Sequence, residues 1–202
     1  MQSRYPLTFA YFNENKEALQ ARERGRMRGP NWYAYIYPKN IEVMKTPKIL
    51  VPDIADRAAF ALDEEGQYAF TSGYGITLLG EIQLSIKYVL GLLNSKVLDF
   101  YLKRISTTLR GGFFRYFTQF IEQLPIRSID FSNPQEKAQH DKMVELVQAM
   151  LDQNRRLDSV RTDDERKRIE RMIASTDEEI NALVYELYGL SKEEIAIVEG
   201  QE

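Results

Sequence analysis

Two apolar stripes at three- and four-residue spacing leave the last third of this chain little choice of fold. Met143, Leu146, Val147, Met150, Leu151, Asn154 and Leu157 form the first; Ile169, Ile173, Thr176, Ile180, Leu183, Val184 and Leu187 form the second. Residues three and four apart share one side of an α-helix, so each stripe predicts a helix of about 25 residues with one covered face. Asn133-Pro134-Gln135-Glu136 marks the first start, with an Asn cap, a proline in the first turn and a glutamate three residues after the cap. Thr162-Asp163-Asp164-Glu165 repeats the capping box, and Gly189 is a natural stop. A connection of a few residues makes the two helices fold back as an antiparallel pair. Ser191-Lys192-Glu193-Glu194 then opens a last short helix carrying Ile195, Ile197 and Val198. The lone His140 falls in the polar start of the first long helix and is expected at the surface.

A second organised stretch runs from Tyr88 to Ile126. Apolar positions through Val89, Leu90, Leu92, Leu93, Val97, Leu98, Phe100, Tyr101 and Leu102 break at Asn94-Ser95, two good cap residues. The pattern predicts consecutive helices over 83–93 and 95–105. A basic, hydroxyl-rich loop follows, with Lys103, Arg104, Ser106, Thr107, Thr108 and Arg110. Gly111-Gly112 lets the backbone turn freely or approach another backbone closely. Phe113, Phe114, Arg115, Tyr116 and Phe117 come next, then a short helix through Phe120, Ile121 and Leu124 that stops at Pro125. A rigid scaffold presenting such a loop suits a phosphate backbone. The other reading places Phe113, Phe114 and Phe117 in the core, with the arginines merely covering the surface.

The front of the chain mixes helix and strand signals. Leu7, Phe9, Tyr11, Phe12, Ala18 and Leu19 suggest a helix over about 7–24, stopped at Gly25. Arg22, Arg24, Arg26 and Arg28 recur every second residue, which scatters them around a helix but aligns them on an extended segment. NWYAYIY (31–37) reads as a strand, with Trp32 as a core residue, and PKILVPDI (47–54) as a strand covered on both faces. FALDEEGQYAF (60–70) reads as a hairpin turning at Glu64-Glu65-Gly66, and another short strand falls at about 75–79. The expected class is α+β: a small mixed β-sheet domain with flanking helices over residues 1–131, then an antiparallel two-helix arm with a short terminal helix over 132–202.

The string LLNSK…LRGG…R…IEQLPI resembles the C-terminal target-recognition domain of Taq-type adenine-N6 DNA methyltransferases and type IIG restriction–modification enzymes. YPLTFAYFNENKEALQARERGR, NWY, TPKILVPDI and FALDEEGQYAF match the same family in order and spacing, so the resemblance covers roughly residues 4–127. It implies a domain that reads double-stranded DNA, entered through the helix at 7–24 from an upstream methyltransferase/endonuclease domain or subunit. S-adenosylmethionine and Mg are implied as cofactors of that catalytic part, and none for this chain. The NALVYELYGLSKEEIAIVE ending resembles the tails of the same enzymes and of type I specificity subunits, whose helical arm packs on a neighbouring domain or subunit.

The charge pattern agrees with a binding role. Residues 1–131 carry 17 Lys/Arg against 13 Asp/Glu, whereas residues 132–202 carry 10 against 17. Catalytic motifs are missing. The seven prolines are never adjacent, so no Asn-Pro-Pro-Tyr-type motif occurs, and no Gly-x-Gly-x-x-Gly loop follows a strand. One histidine and no cysteine exclude a catalytic triad built on His and Cys and any thiolate zinc site. Asp53 with Asp56, or Asp63-Glu64-Glu65, read as turn and loop acids rather than as a metal cluster. The absence of cysteine fits a cytoplasmic protein, and no apolar run nears the roughly 20 residues that span a bilayer. Phosphate contacts are expected from Arg28, Lys39, Lys48, Lys103, Arg104, Arg110 and Arg115. Base reading is expected from Arg57, Tyr74, Thr107, Arg115, Tyr116 and Gln119. The alternative is a protein–protein adaptor acting through the helical pair.

Overall fold

A computed structural model describes residues 1–38, 41–80 and 82–200. The chain divides into two compact units, Met1–Val43 and Met44–Glu202. It is α+β, and no helix among the described residues is long and apolar enough to cross a membrane.

The first unit contains α1 (Pro6–Glu14) and α2 (Lys16–Gly25). The helix expected over 7–24 is therefore two, broken at Asn15, whose side-chain amide donates to the Tyr11 carbonyl at 2.9 Å. Within α2 the backbone leaves the helical region at Arg22, Glu23 and Arg24, so the alternate arginines form no regular face. NWYAYIY forms turns, not a strand. The Arg22 guanidinium explains why: it donates to the carbonyls of Trp32 (2.8 Å) and Ala34 (3.1 Å), taking acceptors a partner strand would need. Trp32 is buried, as expected, its ring tilted 6.3 Å from Phe9 and edge-on 5.5 Å from Tyr33.

In the second unit the strands form two three-stranded sheets, antiparallel throughout. One runs β3 (Ala61–Asp63), β1 (Lys48–Val51), β4 (Tyr74–Ile76); the other runs β2 (Ile54–Ala55), β6 (Phe113–Arg115), β5 (Thr108–Leu109). β1 and β2 are separated only by Pro52-Asp53, so the chain steps from one sheet to the other there. The hairpin expected over 60–70 does not close on itself. Asp63 accepts from Lys48 and from the backbone N–H groups of Gln67 and Tyr68, both at 2.9 Å, so the residues after it wrap its carboxylate. β3 pairs with β1 instead.

The helices follow the sequence closely. α3 (Ile86–Leu93) and α4 (Lys96–Ile105) are divided at Asn94-Ser95, each capped by a serine: Ser85 accepts from Lys87 N–H, and Ser95 from Leu98 N–H. α5 (Thr118–Ile121) is short. α6 (Pro134–Ser159) starts at Asn133, whose side chain accepts from Gln135 N–H. α7 (Asp163–Tyr188) starts after Thr162, which makes no side-chain cap bond, and ends at Gly189 in the left-handed region. α8 (Lys192–Val198) carries the full capping box at Ser191 and Glu194.

The two long helices lie against each other and are rooted in the same core as the sheets. Met143, Leu146, Val147, Ile180, Leu183, Val184 and Leu187 share one buried cluster with Tyr88, Leu92, Leu98, Leu102, Ile49 and Val51. Fully burying such side chains contributes roughly 1.5–3 kcal/mol each. α3 crosses α6 at Gly91, where a Cβ would sit 2.5 Å from Met143 Sδ and 2.9 Å from a Val147 methyl. His140 is a correction: it is buried, with its ring 5.0 Å from both Tyr88 and Phe131. Its Nε2 accepts from the N–H of Ser85, at the start of α3, at 3.1 Å. It lies three residues before Met143 and seven before Val147, on the covered stripe, which the polar residues around it hide in the sequence.

Candidate nucleic-acid interface

One group of cations in the second unit lies on α4 and the β5–β6 hairpin. Residues 100–121 hold Lys103, Arg104, Arg110 and Arg115 and no carboxylate. Lys103 and Arg104 occupy the last turn of α4, where cations complement the helix dipole. Lys103 pairs with Asp99 one turn back at 2.7 Å. Arg104 lies over the Phe100 ring, 3.7 Å from its centre, and forms no ion pair among the described residues.

The hairpin is fixed at its base and open at its tip. Ser106 Oγ donates to the Arg115 carbonyl at 2.6 Å, and Arg115 N–H donates to the Thr107 carbonyl at 3.2 Å. Thr108 then faces Phe114 and Leu109 faces Phe113. Arg110, Gly111 and Gly112 make the turn, both glycines with positive φ (90° and 81°), and Arg110 is exposed. Tyr116 N–H donates to the Asp53 carbonyl at 2.9 Å, and the Asp53 carboxylate meets the Arg115 guanidinium at 3.4 Å. That pair is half exposed, so its net stabilisation is small and Arg115 can exchange Asp53 for another anion. Arg115 also lies over Phe117, 5.0 Å from the ring centre.

Two further segments join this surface. Asp99 accepts from Ala58 N–H at 2.8 Å as well as pairing with Lys103, which brings exposed Arg57 beside α4. Gly73 packs so closely on the Val51 carbonyl that a Cβ there would lie 2.5 Å from it, which sets Tyr74 opposite Val51 and next to Pro52-Asp53. Tyr74 is half-buried, packed on the core. Gln119, exposed, is on α5, which packs against α4.

Two expected contacts are corrections. Lys48 is 1% exposed and paired with Asp63, which is itself buried. Burial alone would raise the Asp63 pKa, but Lys48 and the Tyr68 and Gln67 N–H groups outweigh it and hold it at about 2. This lysine neutralises a buried carboxylate, not a phosphate. Tyr116 is fully buried, its ring edge-on to Phe60 at 5.8 Å, and burial together with nearby Asp99 pushes its hydroxyl pKa up. Both residues sit next to the interface, but their side chains point into the core. Arg28 is exposed in the first unit, and Lys39 lies outside the described residues.

The sequence expectations did not include the exposed apolar face of the hairpin. Strand register puts Ile54, Leu109, Phe113 and Arg115 on one side of the β2–β6–β5 sheet, and Ala55, Thr108 and Phe114 on the other. Ala55 is buried and Phe114 packs on the core, so the first side faces out. No period-two alternation marks it, because four of the five residues from Phe113 to Phe117 are aromatic.

Most of the acids weighed as a metal cluster are engaged otherwise. Asp63 serves Lys48, Glu64 pairs with Lys87 at 2.7 Å, and among the described residues no group of three or more His, Asp or Glu could hold a metal ion.

Residues 3–126 match the family model of the TaqI-like C-terminal specificity domain. Among curated relatives, the type II methyltransferase M.BanIII of Aneurinibacillus aneurinilyticus is 28% identical over 154 residues, 75% of this chain and 26% of that protein. The type II methyltransferase M.XhoI of Xanthomonas vasicola is 30% identical over 122 residues, 60% of this chain and 22% of that protein. The type II restriction enzyme and methyltransferase RM.Eco57I of Escherichia coli is 27% identical over 150 residues, 70% of this chain and 15% of that protein. The matched part of the chain thus spans about a quarter or less of the length of these relatives.

Proposed function

The chain belongs to the TaqI-like C-terminal specificity domain family, and from that premise we propose that it reads a sequence in double-stranded DNA on behalf of a larger adenine-N6 methyltransferase or restriction–modification enzyme. The single observation that carries this reading is the acid-free run from Phe100 to Ile121, which sets Arg104 and Arg110 free of carboxylates beside a rigidly based hairpin. Arg104, Arg110 and Lys103 neutralise phosphates and fix register, and their contribution weakens as salt rises. Arg57, Thr107, Arg115 and Gln119 supply planar or hydroxyl groups that can read base edges in the major groove.

In this reading the chemistry belongs to the larger enzyme, whose catalytic part would hold S-adenosylmethionine and Mg. Residues 1–131 act as the reading domain and 132–202 as an acidic arm joining it to that enzyme, in a cytoplasmic setting where DNA is the partner. The arm's rooting in the core supports a rigid handle, since Met143, Val147 and Val184 are wholly covered.

The test is fluorescence anisotropy of a labelled mixed-sequence duplex against the chain, across a series of KCl concentrations. Binding is expected to weaken linearly on a log–log plot, and Arg104→Ala with Arg110→Ala should lower that slope by about 2, close to one unit per lost phosphate contact. A salt-independent signal, or an unchanged slope in the double variant, overturns the reading. Association with a protein partner that requires residues 132–190 and ignores DNA would instead establish the adaptor role.

A further inference from the structure

The outward side of the β2–β6–β5 sheet carries two large, exposed apolar side chains. Ile54 is 43% exposed and Phe113 42%. Leu109, opposite Phe113 in the register, continues the face. Phe113 directly follows the double-glycine turn, and its ring lies alongside Gly111, at 3.4–3.5 Å from where a Cβ would be. Nothing lies within 4 Å of the corresponding position at Gly112, so the tip of the hairpin is open on that side. The ring is thus held at the end of a narrow, rigidly based ribbon.

Charge selects the occupant. The face contains Arg115, and Arg110 stands at the turn beside it, without an ion pair among the described residues. Of the acids close by, Asp53 and Asp99 pair with Arg115 and Lys103, which leaves exposed Asp56, just after β2, as the one acid without an ion pair among the described residues. An apolar centre with a cationic rim complements a surface that is apolar inside and anionic at its borders. Stacked bases between two phosphate strands have that arrangement. A strand face with two aliphatic side chains and one ring at its tip offers a wedge rather than a set of hydrogen bonds.

Resting on the DNA-reading function above, we propose that Phe113 stacks on, or wedges beside, a base of the bound duplex, with Ile54 and Leu109 lining its flank. The hairpin then senses how easily a base step opens, in addition to what the polar side chains read at base edges. Every base has a π-face, so this contact forms on duplexes of any sequence and is strongest at weakly stacked steps.

The experiment uses the full chain and a short fluorescein-labelled duplex of mixed sequence. Phe113→Ala is expected to weaken binding about 10-fold with the salt slope of the parent chain, because a stacking contact is lost and no phosphate contact is. Phe113→Trp keeps the ring, and its added tryptophan emission is expected to be quenched at saturating duplex. Binding by Phe113→Ala within about twofold of the parent chain, or unquenched emission from Phe113→Trp, overturns the proposal and assigns the apolar face to another partner, such as an acidic protein segment. Failure of the parent chain to bind duplex in a salt-dependent way would instead remove the DNA reading itself, so the two failures are separable.

Discussion

The interior of the second unit and its β5–β6 hairpin use the same residue types for opposite ends. Lys48 is sealed beneath a sheet with Asp63, whereas Arg104 and Arg110 stand at the surface with no carboxylate among the described residues. Gly91 is where two helices approach too closely for any side chain, whereas Gly112 is a turn residue with empty space around it. Tyr116 and Phe113 are three residues apart; one is fully buried and the other is 42% exposed. A cation sealed inside with its partner is part of the fold, and a cation at the surface is available for a ligand. Residue type alone does not separate the two, and partner geometry does.

The largest break in this comparison comes from the buried pair. Lys48→Met leaves Asp63 buried without its cation, at a cost of about 3–5 kcal/mol in urea unfolding at neutral pH. The pH dependence sharpens the point. Asp63 is held at about 2, below its ordinary value of 3.8, so its stabilisation is complete above about pH 4 and is lost as pH falls toward 2. Without Lys48, burial dominates and raises the pKa, so near this range the variant is expected to gain stability on acidification where the parent chain loses it. Parallel slopes for the two chains between pH 2 and 5 would show that the pair does not govern the acid limb.

Gly91 comes next. A valine there has to displace both Met143 and Val147 at the α3–α6 crossing, so Gly91→Val is expected to cost about 1–3 kcal/mol in the same assay. Compensation by relaxation of the flexible Met143 would appear as a cost near zero, and would mean that the arm is less firmly seated than the core contacts indicate.

Local rules made much of this architecture readable. The helical pair, the break at Asn94-Ser95, the capping box at Ser191 and the αL stop at Gly189 are set by residues within a turn or two of each other. Expectations failed where a distant group decided the outcome. Alternating aromatics in 31–37 spelled a strand until Arg22 took two of its carbonyls. Glu64-Glu65-Gly66 spelled a hairpin turn until Asp63 gathered Lys48 and two backbone N–H groups. His140 sits among polar residues but belongs to the covered stripe and serves α3. In the candidate interface, the exposure of Arg104, Thr107 and Arg110 was legible because a loop of hydroxyls and arginines announces itself. Lys48 was misread because its partner lies 15 residues away across a strand pair. Phe113 was left between a presented and a core position because the side of a strand that faces out depends on which neighbour pairs with it.

The smallest expected effect on stability tests the comparison most directly. Arg104 stacks on Phe100 but satisfies no buried group, and Arg110 is exposed at a turn, so Arg104→Ala with Arg110→Ala should shift the unfolding free energy by no more than about 1 kcal/mol in all. Loss of the stacked guanidinium accounts for most of that, since an exposed cation–π contact contributes about 0.5–1 kcal/mol at most. The same double variant is expected to lose DNA affinity steeply, as argued for the interface. A residue pair silent in urea unfolding and decisive in anisotropy is one that the fold does not need and the ligand does. If the double variant instead unfolds as readily as Lys48→Met, these arginines are structural, and the division between sealed and displayed cations would not hold for this chain.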